Sequence, residues 1–199
     1  APGGLFCQWL ALHQMDLDTL RSIVAAFQAV YPNAIAVLAS NSLDTPVLGL
    51  VARPDDGPLD LADIRARLAE AKTTHGTQRL VAARLEDEFA IAGSVVAGPA
   101  ALARFASGAQ RNTDDRPVVV HRAPWATYAP ATRPRERLMA LLSELRPLAR
   151  DVLRRPGNDN DNDDAGRLQA YWAARQRYLE FGTTVRPLAD PGEMLRQVH

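Results

Sequence analysis

Hydrophobic residues in the first part of the chain change their spacing from one segment to the next. Leu5–Trp9 is a short apolar run directly after two glycines, which favours a buried strand over a helix. The next segment has apolar residues at intervals of three and four: Leu17, Leu20, Ile23, Val24, Phe27 and Tyr31. This spacing predicts an amphipathic helix that is capped by Asp16 and ends at Pro32-Asn33.

Two strands joined by a short polar loop are predicted after this helix. Ala34–Ala39 and Pro46–Ala52 are β-type runs, and Ser40–Thr45 between them has the length of a hairpin loop. A short loop makes neighbouring strands antiparallel, whereas a helix between two strands allows a parallel pair. The order strand, helix, strand, strand therefore predicts an α/β fold in which a parallel sheet is finished by an antiparallel hairpin.

The middle of the chain has a mainly helical pattern. Helices are predicted over Leu59–Lys72, Arg79–Val96, Pro99–Phe105 and Arg135–Arg155. The β-branched run Val118–His121 predicts one further short strand, because branched side chains favour the extended backbone. Ala123–Arg133 contains prolines and has no apolar period, which predicts an extended crossing.

An acidic tract follows the last of these helices. Gly157–Asp164 alternates aspartate and asparagine and has no apolar side chain to bury, which predicts a solvated linker. A calcium loop is the alternative, but a count from Asp159 puts aspartate where that loop needs glycine and alanine where it needs glutamate. A helix with an aromatic face is predicted beyond the tract, and another over Pro191–Val198. The face of the first comprises Leu168, Tyr171, Trp172, Arg175, Tyr178 and Leu179.

Composition excludes several classes of function. Basic and acidic residues are equal at 23 each in 199 residues, so no net charge attracts the chain to nucleic acid or to an anionic membrane. The single cysteine, Cys7, has apolar neighbours, which predicts a buried thiol in a reducing compartment. No apolar run has the length of a membrane span, and zinc-protease and serine-hydrolase motifs are absent from the sequence. The abrupt apolar start predicts a piece of a longer protein.

Two segments carry a resemblance to a known family. Gly3–Leu10, followed by the Asp-capped helix and the strand hairpin, resembles the last third of the spermidine synthase catalytic fold. Asn112–Pro117 looks like a signature of bacterial proteins that fuse a multi-spanning membrane region to a spermidine-synthase-like domain. The resemblance implies the C-terminal part of a methyltransferase-like, Rossmann-like sheet. It also implies a role in polyamine biosynthesis, through aminopropyl transfer from decarboxylated S-adenosylmethionine to a diamine.

The resemblance also implies which parts of the site this chain holds. In the family, the glycine-rich cofactor loop, the acidic residue that holds the ribose and the catalytic aspartate all precede the strand corresponding to Leu5–Trp9. We therefore expect no cofactor-binding residue here and no activity from this chain alone, although the intact family uses decarboxylated S-adenosylmethionine or S-adenosylmethionine. The family's glutamine at the end of that strand corresponds to Gln8, which implies a substrate-facing role. The family's tyrosine in the final hairpin loop has no counterpart in Ser40–Thr45.

Four further polar residues are candidates for substrate binding. Asp114, Asp115 and Arg116 could lie at the mouth of a pocket; the favoured alternative is a turn in which Arg116 pairs with one of the acids. His13 could face a ligand as a neutral base, but such a histidine more often bonds a neighbouring turn. No metal ligands are predicted.

The predicted organisation has four parts. These are residues 1–122, the C-terminal part of the catalytic domain; 123–156, the extended crossing and helix; 157–166, the acidic linker; and 167–199, a helical extension.

The expected partners are the missing N-terminal half of the domain and, in the intact protein, a small-molecule amine. The parent protein is expected to be anchored in the membrane with this part at its cytoplasmic face. The alternative function is an interaction module, which forms a homodimer or docks through an exposed strand edge and the Leu168–Leu179 helix.

Overall fold

A four-stranded sheet with helices on both faces is the centre of the computed structural model, which describes residues 4–52, 57–154 and 160–184. The strands are β1 (Phe6–Ala11), β2 (Ile35–Ser40), β3 (Val47–Ala52) and β4 (Val95–Ala97). The helices in these ranges are α1 (Leu17–Val30), α2 (Leu61–His75), α3 (Thr77–Ala82), α4 (Glu88–Gly93), α5 (Pro99–Phe105), α6 (Val118–Tyr128), α7 (Pro134–Leu145), α8 (Ala149–Val152) and α9 (Asn160–Thr184). The chain therefore has a mixed α/β fold.

The strand order is β1-β3-β2-β4, and all neighbouring strands are antiparallel. The predicted hairpin is confirmed, since β2 and β3 pair with Val37 opposite Gly49. Both β1 and β2 run antiparallel to β3, so they point in the same direction with β3 between them. The described strands contain no adjacent parallel pair, and the predicted parallel part of the sheet is therefore not seen in this chain.

The helix that follows β1 forms as the sequence predicts. Asp16 caps α1, because its carboxylate accepts a hydrogen bond of 2.7 Å from the backbone nitrogen of Thr19. The predicted helix after Asp60 is also confirmed, and the Asp60 carboxylate accepts bonds from the backbone of Ala62 and Asp63. Each start depends on a side chain within one turn of the helix, so the sequence contains the whole local signal.

The prediction of one helix over Arg79–Val96 is wrong at its end. Val95–Ala97 is a strand, β4, which pairs with β2 and is completely buried. The turn before it is held to β2 by a 2.8 Å bond from the Leu38 nitrogen to the Ser94 carbonyl. The open edge of β2 supplies hydrogen-bond partners for an extended backbone, and this tertiary pairing overrides the helical pattern of the preceding residues.

The prediction of a strand over Val118–His121 is also wrong. These residues begin α6, which continues through the first half of the predicted extended crossing Ala123–Arg133 to Tyr128. The side-chain oxygen of Asn112 accepts a 3.0 Å bond from the Val119 nitrogen and so satisfies one donor at the start of the helix. Val120 is exposed, which shows that no sheet is present to bury the branched side chains.

The predicted helix over Arg135–Arg155 is divided in the structure. α7 ends at Leu145, where Arg146 adopts a left-handed backbone conformation with φ of 34° before Pro147. Proline disfavours a helical residue before it, which is why the chain turns here and starts the short helix α8.

The acidic linker predicted over 157–166 is helical from residue 160 onward, because α9 begins there. Asp164 is largely buried and forms a 2.9 Å ion pair with Arg65 of α2. A tertiary partner for this carboxylate thus replaces the expected solvation. The predicted helix over Leu168–Leu179 is confirmed, and the one over Pro191–Val198 lies outside the described residues.

Two apolar clusters lie on opposite faces of the sheet. The cluster on one face joins β1, β2 and β3 to α1, α5 and α7. The other joins β4 and part of β2 to α2, α4, α8 and α9. Helix α9 contributes Leu168 and Trp172 to the second cluster and Leu179 to the first. The described part of the predicted helical extension, residues 167–184, therefore contributes to the core.

Candidate functional site

Gln8, the residue that the resemblance connects with substrate, lies on the exposed edge strand β1. Its side-chain nitrogen donates a 3.2 Å bond to the carbonyl oxygen of Trp9. Because side chains alternate along a strand, Gln8 shares a face with Phe6, which stacks on Phe27 of α1 at 5.8 Å between ring centroids. Gln8 therefore points to the α1 side of the sheet.

His13 lies in a single 3-10 turn, Leu12–Gln14, that follows β1. Its backbone carbonyl accepts a 2.9 Å bond from the buried Arg137 of α7. The ring nitrogen Nδ1 is buried, and it has no hydrogen-bond partner among the described residues. The expectation that this imidazole bonds a neighbouring turn is therefore not met at Nδ1.

Asp114, Asp115 and Arg116 lie in an exposed turn before α6. Thr113 and Arg116 exchange two backbone bonds of 3.0 and 3.1 Å, so the two acids form the tip of a tight turn. The ion pairs of the described residues do not include Arg116. The favoured alternative, a turn, is therefore present, but the predicted ion pair of Arg116 with one of the acids is not seen among the described residues. A substrate-binding role of these residues stays a prediction.

A cleft of about 670 Å³ lies on the other face of the sheet, where α9 passes the end of β2. It is lined by Trp9, Val37, Leu38, Ala39, Ser40, Asn41, Ser42, Ala83, Arg84, Leu85, Ala90, Gly93, Ser94, Tyr171, Arg175 and Tyr178. None of the five predicted site residues is in this lining, although the segment Ser40–Thr45, which the resemblance singled out, supplies Ser40, Asn41 and Ser42.

Glycine at two positions allows aromatic side chains to form the walls of the cleft. Trp9 lies over Gly49, where a Cβ atom would be 2.7 Å from the indole ring. The ring of Tyr171 covers Gly93 in the same way, so any side chain at residue 93 would displace α9. These close approaches place aromatic faces on two sides of the same cavity.

The last residue of α4 is the anchor for α9. The carbonyl oxygen of Gly93 accepts a 3.1 Å bond from the indole nitrogen of Trp172, and it accepts a second bond from the Arg175 guanidinium. A carbonyl at the end of a helix lacks an intrahelical partner, so these two donors satisfy it. Arg175 is thereby held in the wall of the cleft.

The charge in the cleft is entirely positive. Arg84 and Arg175 are its charged lining residues, and the described lining contains no aspartate, glutamate, histidine or cysteine. Burial lowers the pKa of Arg175 to about 10, so the guanidinium is still protonated at neutral pH. The cleft therefore offers hydrogen-bond donors and positive charge, and its described lining has no group that serves as a general base near neutral pH.

Cys7 is the one cysteine of the chain. Burial raises the pKa of the Cys7 thiol, which keeps it protonated and makes it a weak nucleophile. The described residues contain no group of three or more histidine, cysteine, aspartate or glutamate side chains placed to hold a metal ion.

Sequence reasoning missed Arg84 and did not assign Arg175 to a site. The available signal for Arg175 was its position as the one charged residue on the predicted aromatic face of α9. A charge on a face that otherwise packs indicates either a buried pair or a ligand. No comparable signal marked Arg84, which lies in the turn between α3 and α4.

Comparison with protein-family models, with curated proteins and with solved structures found no match to this chain. Within the described ranges, no helix combines the length and the hydropathy that crossing a membrane requires.

Proposed function

We propose that this chain is the closing part of a spermidine-synthase-like catalytic domain, and that residues preceding β1 in the parent protein supply its nucleoside-binding loops and catalytic aspartate. The resemblance of Gly3–Leu10 and Asn112–Pro117 suggests the family. The observation that carries the proposal is the outer edge of β1, whose backbone groups have no strand partner among the described residues.

This edge has features of an internal strand. β1 pairs with β3 over all six of its residues, and the strands of the described sheet offer nothing to its other side. Leu5, Phe6 and Trp9 are 68%, 48% and 56% exposed. Natural edge strands are usually short, charged or covered, because an open apolar edge pairs with other chains. A further strand of the same domain would pair with β1 and cover these side chains.

The direction of the strands supports the same proposal. β1 and β2 point the same way and are joined through α1, which is the connection of a parallel α/β sheet. β3 is inserted antiparallel between them as the last strand of the hairpin. A methyltransferase-like sheet that ends in an antiparallel hairpin has this arrangement, and its further parallel strands would lie beyond β1.

The reaction explains why this chain alone is expected to be inactive. In aminopropyl transfer, an amine loses a proton and its nitrogen attacks the carbon beside the sulfonium; the C–N bond forms as the C–S bond breaks and a neutral thioether leaves. The site needs carboxylates that hold and deprotonate the amine next to a bound nucleoside. Gln8 would orient substrate, with His13, Asp114, Asp115 and Arg116 as further candidates, while the catalytic acid would come from the preceding part.

Gln8→Ala in the protein encoded by the full open reading frame is expected to lower kcat/KM about tenfold or more, because it removes a polar contact to the substrate. Spermidine formed from decarboxylated S-adenosylmethionine and putrescine is the measured product. The matched control is Gln14→Ala, an exposed glutamine that should leave the rate within about twofold. The 199-residue chain assayed alone is expected to form no spermidine.

Two results would reject this proposal. One is spermidine formation by the isolated chain. The other is a full reading frame that encodes no glycine-rich cofactor loop before β1.

The same edge favours a second candidate, a non-catalytic module that dimerises by pairing β1 with β1 of another copy. Antiparallel pairing of two identical edges is self-complementary and closes the sheet without a further strand.

In sedimentation equilibrium, this candidate predicts a dimer that Trp9→Lys converts to a monomer, because a charge is placed in the paired edge. Trp125→Lys, on the exposed face of α6, should leave the dimer intact. A wild-type monomer at all accessible concentrations would exclude it.

A further inference from the structure

The cleft between α9 and the end of β2 has a charge that the transferase proposal does not explain. Its two charged lining residues, Arg84 and Arg175, come from the α3–α4 turn and from α9, which are far apart in sequence. A diamine carries positive charge and would be repelled from such a lining. The occupant that fits must carry the opposite charge.

Within the part of the chain that the structure describes, no acidic side chain forms an ion pair with either arginine. Arg175 is the more buried of the two, and among the described residues its one hydrogen-bond acceptor is the uncharged carbonyl of Gly93. A partly buried guanidinium without a counter-charge has lost some of its hydration, and an anion brought to it would offset that cost.

The rest of the lining suits a ligand with an apolar or aromatic body. Trp9 of β1 and Tyr178 of α9 are exposed aromatic side chains that line the cleft. Asn41 adds an amide from the loop after β2. Small-molecule sites have this combination of aromatic walls with a few polar groups that fix orientation.

We propose that this cleft binds a small organic anion, with its carboxylate or phosphate on the guanidinium groups of Arg84 and Arg175 and its apolar part between Trp9 and Tyr178. Guanidinium groups bind both kinds of anion through charge-assisted hydrogen bonds. This inference concerns a ligand of the isolated chain and does not rest on the transferase proposal, so failure of aminopropyl transfer leaves it intact.

Titration calorimetry with benzoate, phenyl phosphate and benzylamine tests the proposal on the 199-residue chain. Benzoate and benzylamine have similar shapes and opposite charges, so their comparison isolates the charge. At least one of the two anions is expected to bind at millimolar concentration, and benzylamine is expected not to bind. The anion that binds with the higher affinity identifies carboxylate or phosphate as the preferred group.

Arg84→Gln is expected to weaken binding of that anion about tenfold or more, because one charge-assisted contact is lost. Arg84 makes no side-chain hydrogen bond or ion pair within the described residues, so this variant should keep the wild-type melting temperature. Arg177→Gln removes the same charge from an exposed position of α9 outside the cleft and should change the affinity by less than about twofold. Arg175 is unsuited to this test because it also holds α4.

Three results would overturn the proposal. They are the absence of binding by both anions at millimolar concentration, binding of benzylamine as strong as that of benzoate, and an equal loss of affinity in Arg84→Gln and Arg177→Gln.

Discussion

Trp172→Ala is expected to lower the free energy of unfolding by about 3–5 kcal/mol. Trp172 is 7% exposed and packs in the cluster that joins α9 to α4, α8 and the sheet. Its indole nitrogen also donates the 3.1 Å bond to the Gly93 carbonyl. The substitution removes a large apolar surface from the core, leaves a cavity and weakens the anchor of α9, and all three effects favour the unfolded chain.

Urea unfolding followed by circular dichroism measures this loss, with Trp125→Ala as the matched control. Trp125 is 72% exposed on α6, so its replacement should change the unfolding free energy by no more than about 0.5 kcal/mol. Small and equal losses in both variants would contradict the structure. They would mean that α9 is the detached helical extension that the sequence pattern predicts.

Leu141→Ala is expected to cost about 3 kcal/mol or more, the second of the large effects. Leu141 is 0% exposed and lies on α7 in the cluster that covers the α1 face of the sheet. Protein interiors are close-packed, so removing three carbon atoms there leaves a cavity that the surrounding helices refill only in part. The loss comes from both the lost burial and the empty volume.

Leu148→Ala is the matched control for this position. Leu148 is 39% exposed in the turn between α7 and α8, and its truncation should cost less than about 1 kcal/mol. The urea concentration at which half of the protein is unfolded is measured for both variants. Its difference separates the loss of core packing on α7 from the general effect of shortening a leucine. A Leu141→Ala protein as stable as the Leu148→Ala protein would show that α7 is not packed in the core.

Elements with complete local signals were predicted from the sequence. Helix α1 has an apolar stripe, a capping aspartate and a proline stop within sixteen residues or so of each other, and the structure has the helix between those signals. The β2–β3 hairpin is likewise specified by two β-type runs and a short loop. Neither element needs information from a distant part of the chain.

Two short β-branched runs show where this reasoning fails. Val95 and Val96 were predicted as the end of a helix and lie in the strand Val95–Ala97, whereas Val118–His121 was predicted as a strand and begins a helix. The local preference of valine for extended backbone is similar in both runs. The first lies beside the open edge of β2 and the second beside α1, so the neighbour available in three dimensions decides the outcome.

The candidate site was the least predictable feature. The five predicted site residues lie on β1, on the turn after it and on the exposed turn before α6, and none lines the cleft. The cleft itself joins the end of β2, the α3–α4 turn and α9. Arg84 and Arg175 line the same cleft. Arg175 is held there by the bond to the Gly93 carbonyl that also joins α9 to α4, a contact with no signature in the spacing of residues.

Local side-chain patterns account for the mixed α/β class, the first helix, the hairpin and the amphipathic character of α9, because each follows from side chains within a few turns of one another. The order β1-β3-β2-β4, the role of β4 and the packing of α9 into the core arise only in the folded chain. These features depend on hydrogen-bond edges and apolar faces that meet across the chain. Such contacts stabilise the chain only when the distant partner is in place, so the local pattern of residues does not predict them.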